Sequence, residues 1–297
     1  MDLNVITELK QKLPSLQYAV DEPLKNHTSF RIGGPAKLML FPTTAEELKI
    51  CLSTLPERPL LLGAGTNILA PDEGLDRPVI CLREQLNGLR LLPGDRIEAE
   101  AGVTLARLAV FAREHSLTGL EFAHGIPGTV GGGVYMNAGA YGGEVTQVAE
   151  RVTVLDRGEL REILCTEDTF GYRTSLFERE DLIIVSAVFR LTPGDGETIG
   201  ETMRQLMEKR KGSQPLDLPS AGSAFKRPVG GYAAALIDQA GLRGFAVGDA
   251  QVSEKHTGFI VNRGSATAAE VRQLMAHVQE VVEEQSGIQL QPEVRIW

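Results

Sequence analysis

Residues 124–144 read His-Gly-Ile-Pro-Gly-Thr-Val-Gly-Gly-Gly-Val-Tyr-Met-Asn-Ala-Gly-Ala-Tyr-Gly-Gly-Glu. Gly125, Gly128, Gly131, Gly132, Gly133, Gly139, Gly142 and Gly143 make this stretch far denser in glycine than ordinary folding requires. Glycine loses more backbone entropy on ordering than any other residue. Such a run is therefore tolerated where the backbone takes positive φ or lies against a ligand with no side chain between them. The run predicts a large, phosphorylated ligand.

A second glycine turn lies upstream. The apolar segment Leu60-Leu61-Leu62 runs into Gly63-Ala64-Gly65-Thr66-Asn67-Ile68. A glycine turn at the end of a buried strand exposes backbone N–H groups that can hold a pyrophosphate. Ile68 occupies the place of the third glycine of G-x-G-x-x-G, so the usual dinucleotide fingerprint fails here. Taken alone, the turn is equally an ordinary strand-to-loop connection. Two separate glycine turns favour a long ligand with two phosphates, held between two parts of a sheet.

Around these turns strand-like segments (37–41, 59–62, 79–82, 96–101, 151–155, 160–164 and 182–191) alternate with helical ones. Thr44 with Glu47, and Thr267 with Glu270, have capping-box spacing. In the second of these helices Val271, Leu274, Met275, Val278, Val281 and Val282 share one face, which reads as core packing, and Gly287 suits the C-cap. Asp156-Arg157-Gly158-Glu159 reads as a hairpin turn, so part of the sheet is antiparallel. The fold class is α+β (mixed α/β), not purely doubly wound. Residues 212–222, with Pro215, Pro219 and serines, read as a domain boundary, and no internal repeat is visible.

The chain has 297 residues, long enough for two or three domains, and its 42% hydrophobic content is that of a globular protein with a sizeable core. No apolar run approaches the ~20 residues needed to cross a bilayer. The stretch from Met1 to Pro14 lacks a signal-peptide core, and the expected location is the cytoplasm. Cys51, Cys81 and Cys165 are far apart and never in a C-x-x-C pair; they read as buried, reduced thiols. A net charge of −9 disfavours nonspecific binding to nucleic acid or an anionic membrane. It leaves anionic small molecules open where cations gather, as at Lys209, Arg210, Lys211, Lys226, Arg227 and Arg243, although Lys209 to Lys211 equally suit a helix end.

Several reaction classes lack their motifs. There is no G-x-x-x-x-G-K-[ST], G-x-S-x-G or H-E-x-x-H, and the five histidines show no metal-ligand spacing. No metal is expected. His124 either lines the pocket or packs structurally. Three other places put polar chemistry on loops: Tyr172-Arg173-Thr174-Ser175, where Arg173 offers a fork of donors to an enolate or carboxylate; Gly222-Ser223-Ala224-Phe225-Lys226-Arg227-Pro228; and Pro292-Glu293-Val294-Arg295, with Glu293 a candidate acid. Taken alone, each reads as a structural loop before it reads as a catalytic one.

Together these segments, with Asn26-His27-Thr28-Ser29-Phe30-Arg31-Ile32-Gly33-Gly34 and Val252-Ser253-Glu254-Lys255-His256-Thr257-Gly258-Phe259, resemble in content and order the UDP-N-acetylenolpyruvoylglucosamine reductase (MurB) family of peptidoglycan precursor synthesis. The resemblance extends from Asn26 to Trp297. It implies a two-part FAD-binding fold of the PCMH type (vanillyl-alcohol-oxidase-like), followed by a C-terminal α/β substrate-binding domain. On that basis residues 1–75, joined by the tail 290–297, and residues 76–211 form the two FAD-binding parts, and 212–289 the UDP-sugar domain.

The resemblance implies FAD contacts at Gly63, Ala64, Gly65, Thr66 and Asn67, at Gly125, Ile126, Pro127, Gly128, Thr129, Gly131 and Gly132, at Asn137, Ala138 and Gly139, and at Tyr172 and Arg295. NADPH would reduce FAD and give way to UDP-N-acetylglucosamine enolpyruvate, whose terminal carbon takes hydride from flavin N5. Arg173 would stabilise charge developing on the carboxylate, an effect commonly worth about 3–4 kcal/mol. Ser223 would donate the proton and Glu293 assist as its acidic partner. Gly222, Lys226, Arg227 and Arg243 are the substrate-binding candidates. The expected protein is a monomer whose partners are these small molecules.

Two departures qualify the match. Arg227 stands where some members have asparagine, though arginine suits a diphosphate equally. The chain from Arg173 to Leu182 has no room for the substrate-covering insertion of the longer subtype, so the compact subtype is expected. Two alternatives fit the same motifs: an FAD-linked oxidase of the same superfamily, and a non-enzymatic flavin or UDP-sugar binding module.

Overall fold

The computed structural model describes residues 3–297; Met1 and Asp2 of the N-terminal stretch lie outside the described residues. The chain divides into two compact units. Unit 1 comprises Met1–Val20, Leu38–Ala64 and Asp76–Lys209, and unit 2 comprises Asp21–Lys37, Gly65–Leu75 and Arg210–Trp297. Each has its own apolar core.

Unit 1 is built on an antiparallel five-stranded sheet in the order Glu159–Leu164, Ala149–Asp156, Ile183–Arg190, Arg96–Glu100, Leu89–Leu92. The Ile183–Arg190 strand, IIVSAVFR, is buried at every position but the last, because it lies mid-sheet with both faces covered. At one edge, ELREIL is largely exposed and its charges keep that edge from pairing with other chains. The turn before it has positive φ at both Arg157 (50°) and Gly158 (86°), as two-residue hairpins require. The short parallel strands Leu60–Leu62 and Val79–Cys81 also belong to this unit. Cys51 and Cys81 are buried as expected, whereas Cys165 is only partly buried, following the exposed edge strand. Burial pushes the Cys51 thiol up to about 12, with Glu47 adding to the effect, and the Cys165 thiol up to about 11.

Unit 2 centres on a four-stranded antiparallel sheet ordered Ser220–Ser223, Phe259–Asn262, Ala250–Val252, Ala246–Val247. The Ala268–Ser286 helix covers a core that includes Val271, Leu274, Met275, Val278 and Val282. Its start has the expected reciprocal capping box between Thr267 and Glu270, and Gly287 ends it at φ 70°. Asp72 adds a second cap, accepting from Ala268 N at 2.7 Å and Ala269 N at 3.0 Å. Thr44 of unit 1 caps its helix through Glu47 N at 3.1 Å, but the box expected there does not close. The Glu47 carboxylate accepts from Thr43 N (2.7 Å) and Thr43 Oγ1 (2.9 Å) instead.

The Gly196–Ser213 helix runs through Lys209, Arg210 and Lys211, which place positive charge near its C-terminal dipole. Among the described residues no helix is long and apolar enough to cross a membrane.

Candidate active site

In unit 1 the glycine-rich run does two jobs. Thr129 caps the short Val130–Tyr135 helix through Gly132 N, and the turn before it is pinned by Leu105 N to Gly128 O (3.0 Å) and Val130 N to Val103 O (2.7 Å). Several of its glycines make room for protein. A Cβ on Gly131 would lie 3.0 Å from Ala101 Cβ, on Gly139 2.7 Å from Glu144 Cγ, and on Gly143 2.5 Å from the Phe122 ring. Close packing against protein thus accounts for part of the glycine content of the run. Gly132 is the more open: its Cβ would meet only Thr129 Oγ1, at 3.7 Å.

The two glycine turns meet within this unit. A Cβ on Gly63 would lie 2.5 Å from Thr129 Oγ1, so only glycine lets the strand-end turn come this close. Among the described residues, the N–H groups of Gly63, Ala64, Gly128 and Thr129 donate to no protein atom. Unpaired backbone donors on two adjoining glycine turns, where added Cβ atoms would intrude, are the donor set a pyrophosphate needs, so these residues fit FAD.

Tyr172 and Arg173 form the tip of a hairpin whose strands are Phe170–Gly171 and Thr174–Ser175. Arg173 adopts φ 55°, and its Nη2 donates to Gly139 O at 3.1 Å. Asn137 ties the hairpin from the other side: its Nδ2 donates to Gly171 O and Glu144 Oε2, both at 3.0 Å, and its Oδ1 accepts from Thr146 N at 3.0 Å. With its amide so engaged at 2% exposure, the Asn137 side chain positions the backbone. Ala138 N is likewise used, donating to Gly133 O. Ile126 N closes a turn on Ala123 O, and Gly125 and Pro127 continue it. Before them, His124 has a buried Nδ1 with no hydrogen-bond partner, and burial, then the Arg113 charge, lowers its pKa.

In unit 2 the C-terminal segment is stitched to two others. Glu293 N donates to Ala224 O at 2.9 Å and Lys226 N to Gln291 O at 2.8 Å, around a bridge between Phe225 and Pro292. On the other side Arg295 N donates to Asn67 O (3.0 Å), Asn67 Nδ2 donates to Glu293 O (3.2 Å), and Arg295–Ile296 pairs in parallel with Ile68–Leu69. Asn67, Ser223, Glu293 and Arg295 are thus brought into one neighbourhood. The N–H groups of Gly65 and Asn67 donate to no protein atom among the described residues, and Thr66 lies between them.

Ser223 owes its place to a bulge. Ser220 pairs with Val261 and Ser223 with Phe259, which leaves one extra residue on the Ser220–Ser223 strand, and Gly222 takes φ 79° there. The Ser223 side chain is half-buried, and its hydroxyl has no hydrogen-bond partner among the described residues. Lys226 is also half-buried, and its Nζ has no ion pair or hydrogen bond among them. Arg227 lies over the Tyr232 ring at 4.0 Å and donates to Gly231 O at 3.3 Å. Arg243 pairs with both Asp238 oxygens (2.9 and 2.8 Å) and donates to Glu254 O.

The structure adds a residue whose part the sequence reading did not assign. Ser29 donates through Oγ to Ser220 O at 2.7 Å and through N to Gly65 O at 3.0 Å, joining the glycine turn to the strand that carries Ser223. Its only signal was membership of the segment 26–34. Of the three catalytic candidates, Arg173 belongs to unit 1, and Ser223 and Glu293 to unit 2.

Comparison with known proteins agrees with these features. Residues 36–163 match an FAD binding domain, and residues 214–297 match the UDP-N-acetylenolpyruvoylglucosamine reductase C-terminal domain. The UDP-N-acetylenolpyruvoylglucosamine reductase of Caldanaerobacter subterraneus subsp. tengcongensis is 44% identical over 298 residues, covering 98% of this chain and 97% of its own. The enzyme of the same name from Pseudothermotoga lettingae is 46% identical over 279 residues, covering 94% and 97%. The crystal structure of UDP-N-acetylenolpyruvylglucosamine reductase (MurB) from Thermus caldophilus superposes with a TM-score of 0.79 at 36% identity, over 95% of this chain and 98% of that one. Identity of this level over nearly the whole length of both partners shows that the chain belongs to the UDP-N-acetylenolpyruvoylglucosamine reductase family.

Proposed function

We propose that this protein reduces the enolpyruvyl group of UDP-N-acetylglucosamine enolpyruvate, giving UDP-N-acetylmuramate for peptidoglycan synthesis, with FAD as cofactor and NADPH as hydride donor. The observation that carries the catalytic assignment is Ser223: a half-buried serine whose hydroxyl has no protein partner among the described residues, set beyond a glycine bulge, with its next peptide bonded to Glu293. When bound, FAD supplies the two-electron hydride chemistry that no protein side chain provides.

In unit 1 the N–H groups of Gly63, Ala64, Gly128 and Thr129 would hold its pyrophosphate, with Gly125, Ile126, Pro127, Gly131, Gly132, Ala138, Gly139 and Tyr172 around it. In unit 2 Gly65, Thr66, Asn67 and Arg295 would extend the contacts. Asn137 would act by fixing backbone.

The remaining chemistry falls to the chain's own groups. Arg173 would meet the negative charge that develops on the substrate carboxylate, its fork held in place by Gly139 O. Ser223 would give its proton to the carbon beside that carboxylate. Lys226, an ammonium three residues on with no partner among the described residues, would make the resulting alkoxide less costly, and Glu293 would polarise the substrate or help return the proton. With Arg243 held by Asp238, the UDP diphosphate would fall to Lys226 and Arg227, beside the open backbone of Gly222. The partition into residues 1–75 with 290–297, 76–211 and 212–289 divides the chain by ligand rather than by compactness. The enzyme would act as a cytoplasmic monomer.

The test is the visible spectrum of the purified protein, followed anaerobically through NADPH and then enolpyruvyl-UDP-N-acetylglucosamine. A yellow protein bleached by NADPH and recoloured by substrate is expected. A colourless protein, or bleaching with no recovery, would rule the proposal out.

A further inference from the structure

Beyond the residues that would touch substrate, one histidine is tied by backbone to both members of the Ser223–Glu293 pair. His256 follows the Ala250–Val252 strand and precedes Phe259–Asn262. Its Nδ1 accepts from Gly258 N at 3.2 Å, and Phe259 N donates to His256 O at 2.9 Å. Gly258 O accepts from Ala224 N at 2.8 Å, and Ala224 O accepts from Glu293 N at 2.9 Å. Phe259 is the cross-strand partner of Ser223, and its ring makes a T-shaped contact with the His256 ring, centroids 5.0 Å apart.

Three consecutive links therefore run from the imidazole through the Gly258 and Ala224 peptides to Glu293. The loop is held from outside as well. Ser253 Oγ accepts from Lys255 N and His256 N, both at 3.2 Å, and Thr257 Oγ1 donates to Ala234 O at 2.5 Å. Space is equally determined, since a Cβ on Gly258 would lie 3.0 Å from His256 Cε1 and 3.3 Å from Ala234 Cβ.

An acceptor at Nδ1 requires the neutral ring with its proton on Nε2. We propose that His256, as the Nε2–H tautomer, is a positioning residue that holds the Gly258 peptide and through it the Ser223–Glu293 pair in the geometry needed for proton delivery to substrate. Burial lowers the pKa of the ring, a hydrogen bond to its own backbone opposes that, and the Arg243 charge acts with burial. The inference rests on the reading of Ser223 as proton donor.

Asparagine and leucine separate the acceptor from mere bulk, because asparagine Oδ1 occupies the place of Nδ1 and leucine has no acceptor. In His256→Leu, substrate-driven flavin reoxidation should slow by about tenfold or more while reduction by NADPH stays within twofold, and the Ala224 and Glu293 amides should exchange hydrogen faster. In His256→Asn both half-reactions and amide protection should stay near those of the parent. Nitrogen-15 NMR of the parent imidazole should show the Nε2–H tautomer.

Equal rates in the Leu and Asn variants, a uniform loss of both half-reactions in Leu, or an Nδ1–H tautomer overturns the proposal. Ser223→Ala distinguishes the two levels. If it leaves reoxidation intact, the proton-donor reading itself fails; if it slows reoxidation while His256→Leu does not, only the role of His256 is lost.

Discussion

The backbone N–H of Glu293 donates to the carbonyl of Ala224 at 2.9 Å, so the acidic residue near the C-terminus is registered against the residue next to Ser223. Because that link is made by backbone, side-chain substitution at Glu293 should spare it. Glu293→Gln is expected to melt within about 1 kcal/mol of the parent while substrate-driven reoxidation falls roughly 10²-fold or more. Denaturant titration and single-turnover spectroscopy on the same samples check both.

Asn137 makes its three side-chain hydrogen bonds from a buried position at φ 44°. Asn137→Ala leaves Thr146 N and Gly171 O without their partner and puts alanine in a left-handed conformation. A loss of about 2–4 kcal/mol is expected in urea unfolding. The Arg173 hairpin should loosen, which hydrogen exchange at residues 170–175 would report.

The glycines of the two turns are not equivalent. Gly65 has φ 62° and a Cβ there would sit 2.1 Å from His27 O, whereas Gly142, at φ 88°, has nothing within 4 Å. Gly142→Ala should cost only the backbone penalty of about 1–2 kcal/mol. Gly65→Ala should cost clearly more, and FAD retention on gel filtration should fall only in the latter.

Much of this architecture is legible in the sequence because the relevant forces are local. The Arg157-Gly158 hairpin, the Thr267–Glu270 capping box and the Gly287 cap follow from residue identity within a few positions. The Thr44 box fails for an equally local reason: Thr43 offers the Glu47 carboxylate an amide and a hydroxyl together. What was not legible depends on distant partners. Nothing near Ser29 announces Ser220, nothing near Gly143 announces Phe122, and the return of residues 21–37 and 65–75 to the C-terminal unit is set by burial across the chain. The site follows the same rule. Motifs mark Arg173, Ser223 and Glu293, but the protein contacts that consume Asn137 and Arg243 require coordinates.

Cys51, raised to about 12, and Cys165, raised to about 11, remain protonated at neutral pH. At pH 8 the thiolate fraction of Cys165 is roughly one in a thousand, so iodoacetamide should label the folded protein far more slowly than the unfolded chain. Stability from these neutral thiols is fully present below the unfolded value near 9 and is lost as pH rises toward 11–12. Denaturant midpoints measured from pH 8 to pH 11 should decline, and Cys51→Ala should flatten part of that decline.

In the proposed reaction Ser223 delivers the proton of the substrate half-reaction. Stopped-flow spectroscopy of Ser223→Ala under anaerobic conditions tests it most directly. Flavin reduction by NADPH should keep the parent rate, while reoxidation by enolpyruvyl-UDP-N-acetylglucosamine should slow by about 10²–10⁴-fold. Reoxidation at the parent rate, or an equal loss in both half-reactions, would contradict the account.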